Sequence, residues 1–305
     1  MAVNWFIRQR IDQIQNFMKH PIEIQNGVLF SQLFHAEKTE YGKKFGFKDI
    51  SSYRDFQQQV PIVNYEEFEP YIEKARQGQK DISWPGVIRQ FAKSSGTTNA
   101  KSKFIPISDE SLEDCHYKAG KDLISIYANN HPDNQLFLNK NLRLGGSAEL
   151  YESFNTKFGD LSAILIENLP FWVEITTVPS KKTSLMSEWE TKLKAIVSEV
   201  KNQDVGSLTG VPSWMMVLLQ RILTETGKGN ISEIFPNLEV FFHGGISFKP
   251  YREQYKKIIG KDINYYEIYN ASEGFFGIQD RSGSDEMLLM LDYGIFYEFI
   301  PMDKF

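Results

Sequence analysis

The chain has 305 residues, 41% hydrophobic and 24% charged, with a formal net charge of −5. This composition suits a globular protein with one large core or two. It excludes a broadly cationic surface, so partners such as nucleic acid or an anionic membrane are not expected. The single cysteine, Cys115, excludes an intrachain disulfide and fits a reducing, cytoplasmic setting. No apolar run approaches the roughly 20 residues that span a bilayer, and the N-terminus is too polar for a signal peptide.

The N-terminal stretch reads as an amphipathic helix with Ile7, Ile11, Ile14 and Met18 on one face. A second helix is expected over Tyr65 to Gln77, with Phe68, Tyr71 and Ile72 inward and Gly78 as its stop. Trp84-Pro85-Gly86 marks a turn before a short apolar segment, Val87 to Phe91. Ser108 is placed to cap a helix carrying Leu112, Tyr117 and Leu123. Leu161 to Ile166 is a buried helix or strand, because so short a run has no decisive period. Leu185, Trp189, Leu193, Ile196 and Val200 outline an amphipathic helix, and Val211-Pro212-Ser213 opens another that is apolar nearly all round. Strands are expected at Leu238 to His243 and Ile263 to Tyr269, with a helix carrying Tyr251, Tyr255, Ile258 and Ile259 between them. This alternation predicts an α/β fold with mixed β-sheets flanked by helices.

Three segments have the composition of a nucleotide site. Ser94, Ser95, Gly96, Thr97 and Thr98, followed by Lys101 and Lys103, combine hydroxyl donors, a backbone free to turn sharply and positive charge for a polyphosphate. The run is not a Walker loop, which needs a second glycine immediately before its lysine. By itself it reads first as a solvated Ser/Thr turn. Gly244, Gly245 and Ile246 follow an apolar strand, where the lack of side chains lets a flat ring lie on the backbone. A plain strand-to-helix turn has the same composition. Tyr269, Ser272 and Glu273 offer an aromatic ring for a purine, a hydroxyl for a phosphate and a carboxylate for Mg²⁺, or else a surface turn with its aromatics packed inward.

Together, and in this order, the segments resemble the acyl-adenylate-forming superfamily. SSGTTNAKSKFIPIS (Ser94 to Ser108) and YNASEGFFGIQ (Tyr269 to Gln279) resemble one branch in detail, the auxin-responsive Gretchen Hagen family of acyl acid amido synthetases. Val60 to Gly78 and Tyr293 to Pro301 are also family-like. The resemblance implies an ATP-dependent ligase with Mg²⁺ as cofactor. Such an enzyme makes acyl-AMP from a small carboxylic acid and passes the acyl group to an amino acid. It implies that Ser94, Ser95, Gly96, Thr97 and Thr98 cover the ATP phosphates and that Lys103, rather than Lys101, is the loop lysine. Gly244, Gly245 and Ile246 would line adenine and Tyr269 would stack on it. Ser272 would touch the α-phosphate and Glu273 would hold Mg²⁺. Val211, Pro212 and Trp214 fall where relatives build the acyl pocket.

The resemblance also implies that residues 1–305 are a large ATP-binding domain incomplete at its C-terminus. The family's ribose-binding aspartate, hinge and small C-terminal lid domain are expected to be absent from it, since Asp292 does not match the ribose position, and the truncated chain by itself is expected to bind nucleotide poorly or be inactive. Two alternatives stand beside the amide-forming reading: thioester formation with coenzyme A, and a non-catalytic nucleotide- or partner-binding module. A catalytic Cys115-His116 dyad is not expected, because helical neighbours point about 100° apart. The histidines lack zinc-ligand spacing. His243 reads either as a wall of the nucleotide pocket or as a packed core residue.

Overall fold

The structure is a computed structural model that describes residues 2–94, 102–146 and 150–304. It divides into two compact units, one comprising 1–119, 152–158 and 290–305 and the other 120–151 and 159–289.

The first unit opens with helices α1 (Ala2–Lys19), α2 (Pro21–Ala36), α3 (Glu40–Lys44), α4 (Tyr53–Gln59) and α5 (Tyr65–Arg76). On α1 the buried residues are Ile14 and Phe17, whereas Met18 is exposed. The expected stripe therefore turns at its end, since Phe17 fills the core more completely than the flexible Met18. Arg10 also turns inward on α1, and its guanidinium grips Asp292 with Nη1–Oδ2 at 2.6 Å and Nη2–Oδ1 at 2.9 Å. Lys118 Nζ adds a contact at 3.0 Å to the same carboxylate. These two cations and the hydrogen bonds they donate hold the Asp292 carboxyl below its usual range against the opposing effect of burial.

Helix α5 begins where the side chain of Asn64 accepts from the Glu67 N–H and Glu67 reaches back to the Asn64 N–H. This reciprocal cap satisfies two otherwise orphaned donors. Its inward face carries Ile72 and Ala75, with Phe68 and Tyr71 packed at the edge of the cluster. Strands β1 (Gln90–Ser94) and β2 (Lys103–Ile107) form an antiparallel hairpin. Strand β1 starts later than the expected apolar segment because its pairing with β2 runs from Gln90 to Ser94. Ser108 accepts from the Ser111 N–H as expected of a cap. The helix that follows is a π-helix over Ser111–Tyr117 before it becomes α6 (Lys118–Asn130). The inserted turn has no signature in apolar spacing.

The second unit is organised by a seven-stranded sheet. Its strands are β3 (Lys140–Leu144), β6 (Thr177–Val178), β7 (Val205–Gly210), β8 (Val240–Gly244), β9 (Asn264–Ala271), β10 (Gly274–Ile278) and β11 (Leu288–Leu289). The intervening β4 (Leu150–Ser153) and β5 (Thr156–Gly159) join the hairpin in a four-stranded sheet ordered β2-β1-β5-β4. The large sheet has the order β11-β10-β9-β8-β7-β3-β6, parallel from β9 to β6 and antiparallel at β10 and β11. The remaining helices are α7 (Leu161–Glu167), α8 (Phe171–Thr176), α9 (Lys181–Ser184), α10 (Trp189–Val200), α11 (Pro212–Thr226) and α12 (Arg252–Ile259). Leu142, Leu208 and Phe241 of the sheet share one core with Ile196 of α10, Leu219 of α11 and Tyr255 of α12. On α6, Tyr127 packs edge-on against Phe242 and Tyr266 of the sheet.

The α/β expectation holds. Leu161 to Ile166 resolves as helix, with Asp160 as its N-cap. Leu185 does not belong to α10. It ends the short α9, and the Glu188 side chain starts α10 afresh by accepting from the N–H groups of Glu190 and Thr191. Helix α11 is not buried all round, for Trp214 and Val217 stay exposed on its outer side.

Candidate active site

In the first unit the register of the hairpin sets Ser94 directly opposite Lys103. Lys103 thus opens β2. Its Nζ lies 4.9 Å from the centre of the Tyr65 ring, a cation–π contact that orients the ammonium. The Tyr65 hydroxyl accepts from the Phe104 N–H at 2.8 Å, which ties β2 to the capped start of α5. Ser95, Gly96, Thr97, Thr98 and Lys101 lie outside the described residues.

In the second unit, the carboxyl ends of the parallel strands meet at one sheet edge. The register pairs Gly244 of β8 with Ile268 of β9, one residue before Tyr269. A Cβ on Gly244 would stand 2.4 Å from the Ile268 carbonyl oxygen, so only glycine fits. Gly245 has φ +83°, a left-handed conformation natural to glycine, and a Cβ there would touch Val211 at 3.4 Å. Val211 leads into α11, whose start is pinned by the Tyr255 hydroxyl donating to the Pro212 carbonyl at 2.7 Å. Burial raises the Tyr255 pKa well above its ordinary value, so the phenol stays a donor.

Beyond Ile268, β9 overhangs β8 and, among the described residues, pairs only with β10. Tyr269 sits on this overhang, 55% exposed, its ring 5.1 Å from that of Phe276. The chain reverses between Ala271 and Gly274, which are register partners, so Ser272 and Glu273 form the tip of the hairpin. Ser272 is half-buried and Glu273 exposed. Gly244, Gly245, Val211 and Tyr269 therefore gather at one edge, with Ser272 and Glu273 on the turn that continues it.

Both expectations for His243 can be weighed against its surroundings. Its ring stacks 4.2 Å from Phe248 and lies 5.3 Å from Phe241. Burial, with a smaller contribution from Arg252, lowers its pKa to about 4. This is the packed core histidine of the two readings. Cys115 and His116 are both buried on the π-helix, and among the described residues neither His116 ring nitrogen has a hydrogen-bond partner.

Glu273 suits a hard cation that takes one or two carboxylates together with substrate phosphates. No hydrogen-bond donor engages its exposed carboxylate among the described residues. Nor do the described residues contain a cluster of three or more His, Cys, Asp or Glu able to cage a metal unaided. A cleft of about 440 Å³ in the first unit, lined by Gln9, Asp12, Gln13, Asn16 and Asp292, holds none of the expected site residues. The Asp292 carboxylate beside it is already taken by Arg10 and Lys118.

The sequence reading missed the surroundings of Gly146, past the end of β3. Its N–H donates to Ser162 Oγ at 2.9 Å and its carbonyl accepts from Lys192 Nζ at 3.1 Å. A signal was present, since Lys192 shares a helical face with Trp189 and Ile196.

Residues 10–263 match the GH3 family N-terminal domain. The chain belongs to the GH3 family. It is 32% identical over 93 residues to indole-3-acetic acid-amido synthetase GH3.3 of Arabidopsis thaliana, covering 30% of this chain and 15% of that one. It is 33% identical over 104 residues to jasmonoyl-L-amino acid synthetase JAR6 of Nicotiana attenuata, covering 34% and 18%. The GH3.15 acyl acid amido synthetase structure superposes with a TM-score of 0.72 at 15% identity, over 92% of this GH3 chain and 58% of the other. A 2-hydroxyisobutyryl-CoA ligase structure, in complex with 2-HIB-AMP and CoA, superposes with a TM-score of 0.56 at 14% identity, over 89% and 54%. The fold is thus that of adenylate-forming enzymes, and the chain spans little more than half the length of these structures. Among the described residues, no helix is long and apolar enough to cross a membrane.

Proposed function

We propose that this GH3 chain is the adenylation part of an acid–amino acid ligase, with residues 1–305 belonging to its large ATP-binding domain. The observation that carries the reading is the edge where Gly244 and Gly245 lie beside Ile268 and Tyr269. It combines the exposed backbone of Gly245, beyond the buried Gly244, with the exposed ring of Tyr269 to stack a flat base. The GH3 relatives named as amido synthetases support amide formation over thioester formation.

In the first step a carboxylate oxygen of the acid attacks the α-phosphorus of ATP. The bond from that phosphorus to the bridging oxygen breaks, and acyl-AMP and pyrophosphate form. The protein's part is to position the reactants and neutralise charge. Gly244, Gly245 and Ile246 line adenine and Tyr269 stacks on it. Ser272 donates to the α-phosphate. Ser94, Ser95, Gly96, Thr97, Thr98 and Lys103 bind the polyphosphate. Glu273 would hold Mg²⁺, which would supply charge neutralisation for the phosphates. In the second step an amino acid amine attacks the acyl carbonyl, AMP leaves, and the nitrogen loses a proton. Val211, Pro212 and Trp214 flank the acyl group. The buried thiol Cys115 suits a cytoplasmic setting.

The test is calorimetric titration of the chain with a non-hydrolysable acyl-AMP mimic in Mg²⁺, beside a variant carrying Glu273→Ala and Ser95→Ala. Saturable binding that the variant loses supports the reading. A folded parent that binds nothing overturns it.

A further inference from the structure

Helix α10 buries Leu193, Ile196, Val197 and Val200, and on the same side it buries Lys192, only 2% exposed. Removing an ammonium from water is unfavourable, a penalty that a leucine or methionine would not incur. Burial lowers the Lys192 pKa, opposed by the attraction of the Asp160 carboxylate. The one hydrogen bond described for the head group runs from Nζ to the Gly146 carbonyl at 3.1 Å. From the other side, the Gly146 N–H donates to Ser162 Oγ at 2.9 Å, and that hydroxyl donates to Asp160 Oδ1 at 2.6 Å. Asp160 is the N-cap of α7. Both backbone groups of Gly146 are therefore held by side chains from two separate helical elements.

Gly146 is in turn a seat for Trp214. A Cβ on Gly146 would stand 3.2 Å from Trp214 Cη2 and 3.3 Å from Asp160 Oδ2. Trp189, at the start of α10, meets the same indole nearly edge-on at 6.5 Å. The rest of the Trp214 side chain is open, with the residue 40% exposed. The cluster lies where the sheet changes direction. The connection from β3 leads to β6 on one side, and the connection from β7 leads to β8 on the other. Ligands of open α/β sheets bind in the crevice outside the carboxyl ends of strands at such a point.

We infer that Lys192 is a positioning residue for acyl selectivity, holding Gly146 so that Trp214 stands as a fixed aromatic wall against the substrate's acyl group. This rests on the adenylation reading and adds to it a residue that touches neither nucleotide nor acid. A rigid wall favours a large flat or branched acyl group over acetyl. Once the clamp is released the indole swings, and the preference falls.

The experiment titrates two non-hydrolysable acyl-adenosine mimics, one benzoyl and one acetyl, into the parent chain and into Lys192→Met, Gly146→Ala, Trp214→Ala and the Lys192→Met/Trp214→Ala double variant. Thermal melts establish that each is folded. The expected result is a benzoyl-over-acetyl preference in the parent that falls about tenfold in Lys192→Met. Gly146→Ala, which keeps the lysine and crowds the indole, should fall similarly, and it decides the matter if Lys192→Met does not fold. In the Trp214→Ala background the lysine change should have no further effect on the preference. A preference retained in folded Lys192→Met or Gly146→Ala overturns the inference alone, as does a parent that binds both mimics equally. A folded parent that binds neither mimic overturns the adenylation reading and the inference with it.

Discussion

Replacing His116 with phenylalanine should stabilise the protein, and more so in acid. The imidazole is buried, and both its ring nitrogens are unpartnered among the described residues. A neutral histidine carries one donor and one acceptor, and each buried group left unsatisfied costs about 1–3 kcal/mol. Phenylalanine removes both while keeping a flat ring of similar size, although one misfitted methine offsets part of the gain. The net expectation near pH 8 is a stabilisation of about 1–2 kcal/mol.

The pH dependence follows from burial, which lowers the His116 pKa from 6.5 to about 4. Between those values the unfolded chain binds a proton that the folded chain does not. Stability is therefore full above pH 6.5 and declines as pH falls toward 4, by about 3 kcal/mol in all at about 1.36 kcal/mol per pH unit. At pH 5 the contribution is about 2 kcal/mol. Urea unfolding of parent and His116→Phe at pH 8 and pH 5 should show the variant ahead at both, with its lead wider at pH 5 by about 2 kcal/mol. A variant less stable than the parent at pH 8, or a lead that does not widen in acid, would refute the assignment of an unpaired, neutral imidazole.

Gly244→Ala should abolish binding of an acyl-AMP mimic or unfold the sheet edge, because the new methyl would meet the Ile268 carbonyl at 2.4 Å. Circular dichroism separates the two effects, and a folded variant with parental affinity would contradict the close approach. Gln25→Leu should destabilise by about 2–3 kcal/mol. The Gln25 amide donates to the carbonyls of Leu291 and Ile295 and accepts from the Tyr297 N–H. Faster hydrogen exchange confined to 290–297 would confirm that role, and unchanged protection would contradict it. Tyr255→Phe should cost about 1–2 kcal/mol in urea unfolding, since the Pro212 carbonyl loses a buried donor. A neutral substitution would mean that the carbonyl finds another partner.

The elements were legible wherever one face of a helix or strand settles its environment. Phe68, Tyr71 and Ile72 share a face in the sequence and in the structure. The strand before Gly244 and the strand before Ser272 were legible because each is rich in aromatic and aliphatic residues and runs into a turn of small residues, although β9 runs on to Ala271. The π-helix over Ser111–Tyr117 was not, because its extra residue per turn alters neither composition nor apolar count. Met18 and Leu185 were misplaced for a related reason. Spacing identifies a stripe, but packing chooses between Phe17 and Met18, and the Glu188 cap decides where α10 begins. At the candidate site the sequence named the glycines and Tyr269 from local chemistry. It had no means of finding the register that sets Gly244 beside Ile268. The Lys192–Gly146–Ser162 clamp joins residues far apart in the chain, and only a lysine on a buried stripe hinted at it.

The central claim is that the base of a nucleotide lies on Gly244 and Gly245 with Tyr269 against it. Photolabelling with 8-azido-ATP in Mg²⁺, followed by peptide mapping, tests this directly. The account predicts label on peptides containing Gly244 to Ile246 or Tyr269 to Phe276, prevented by excess ATP and lost in Tyr269→Ala. ATP-preventable label confined to peptides of helices α1 to α4 would contradict it.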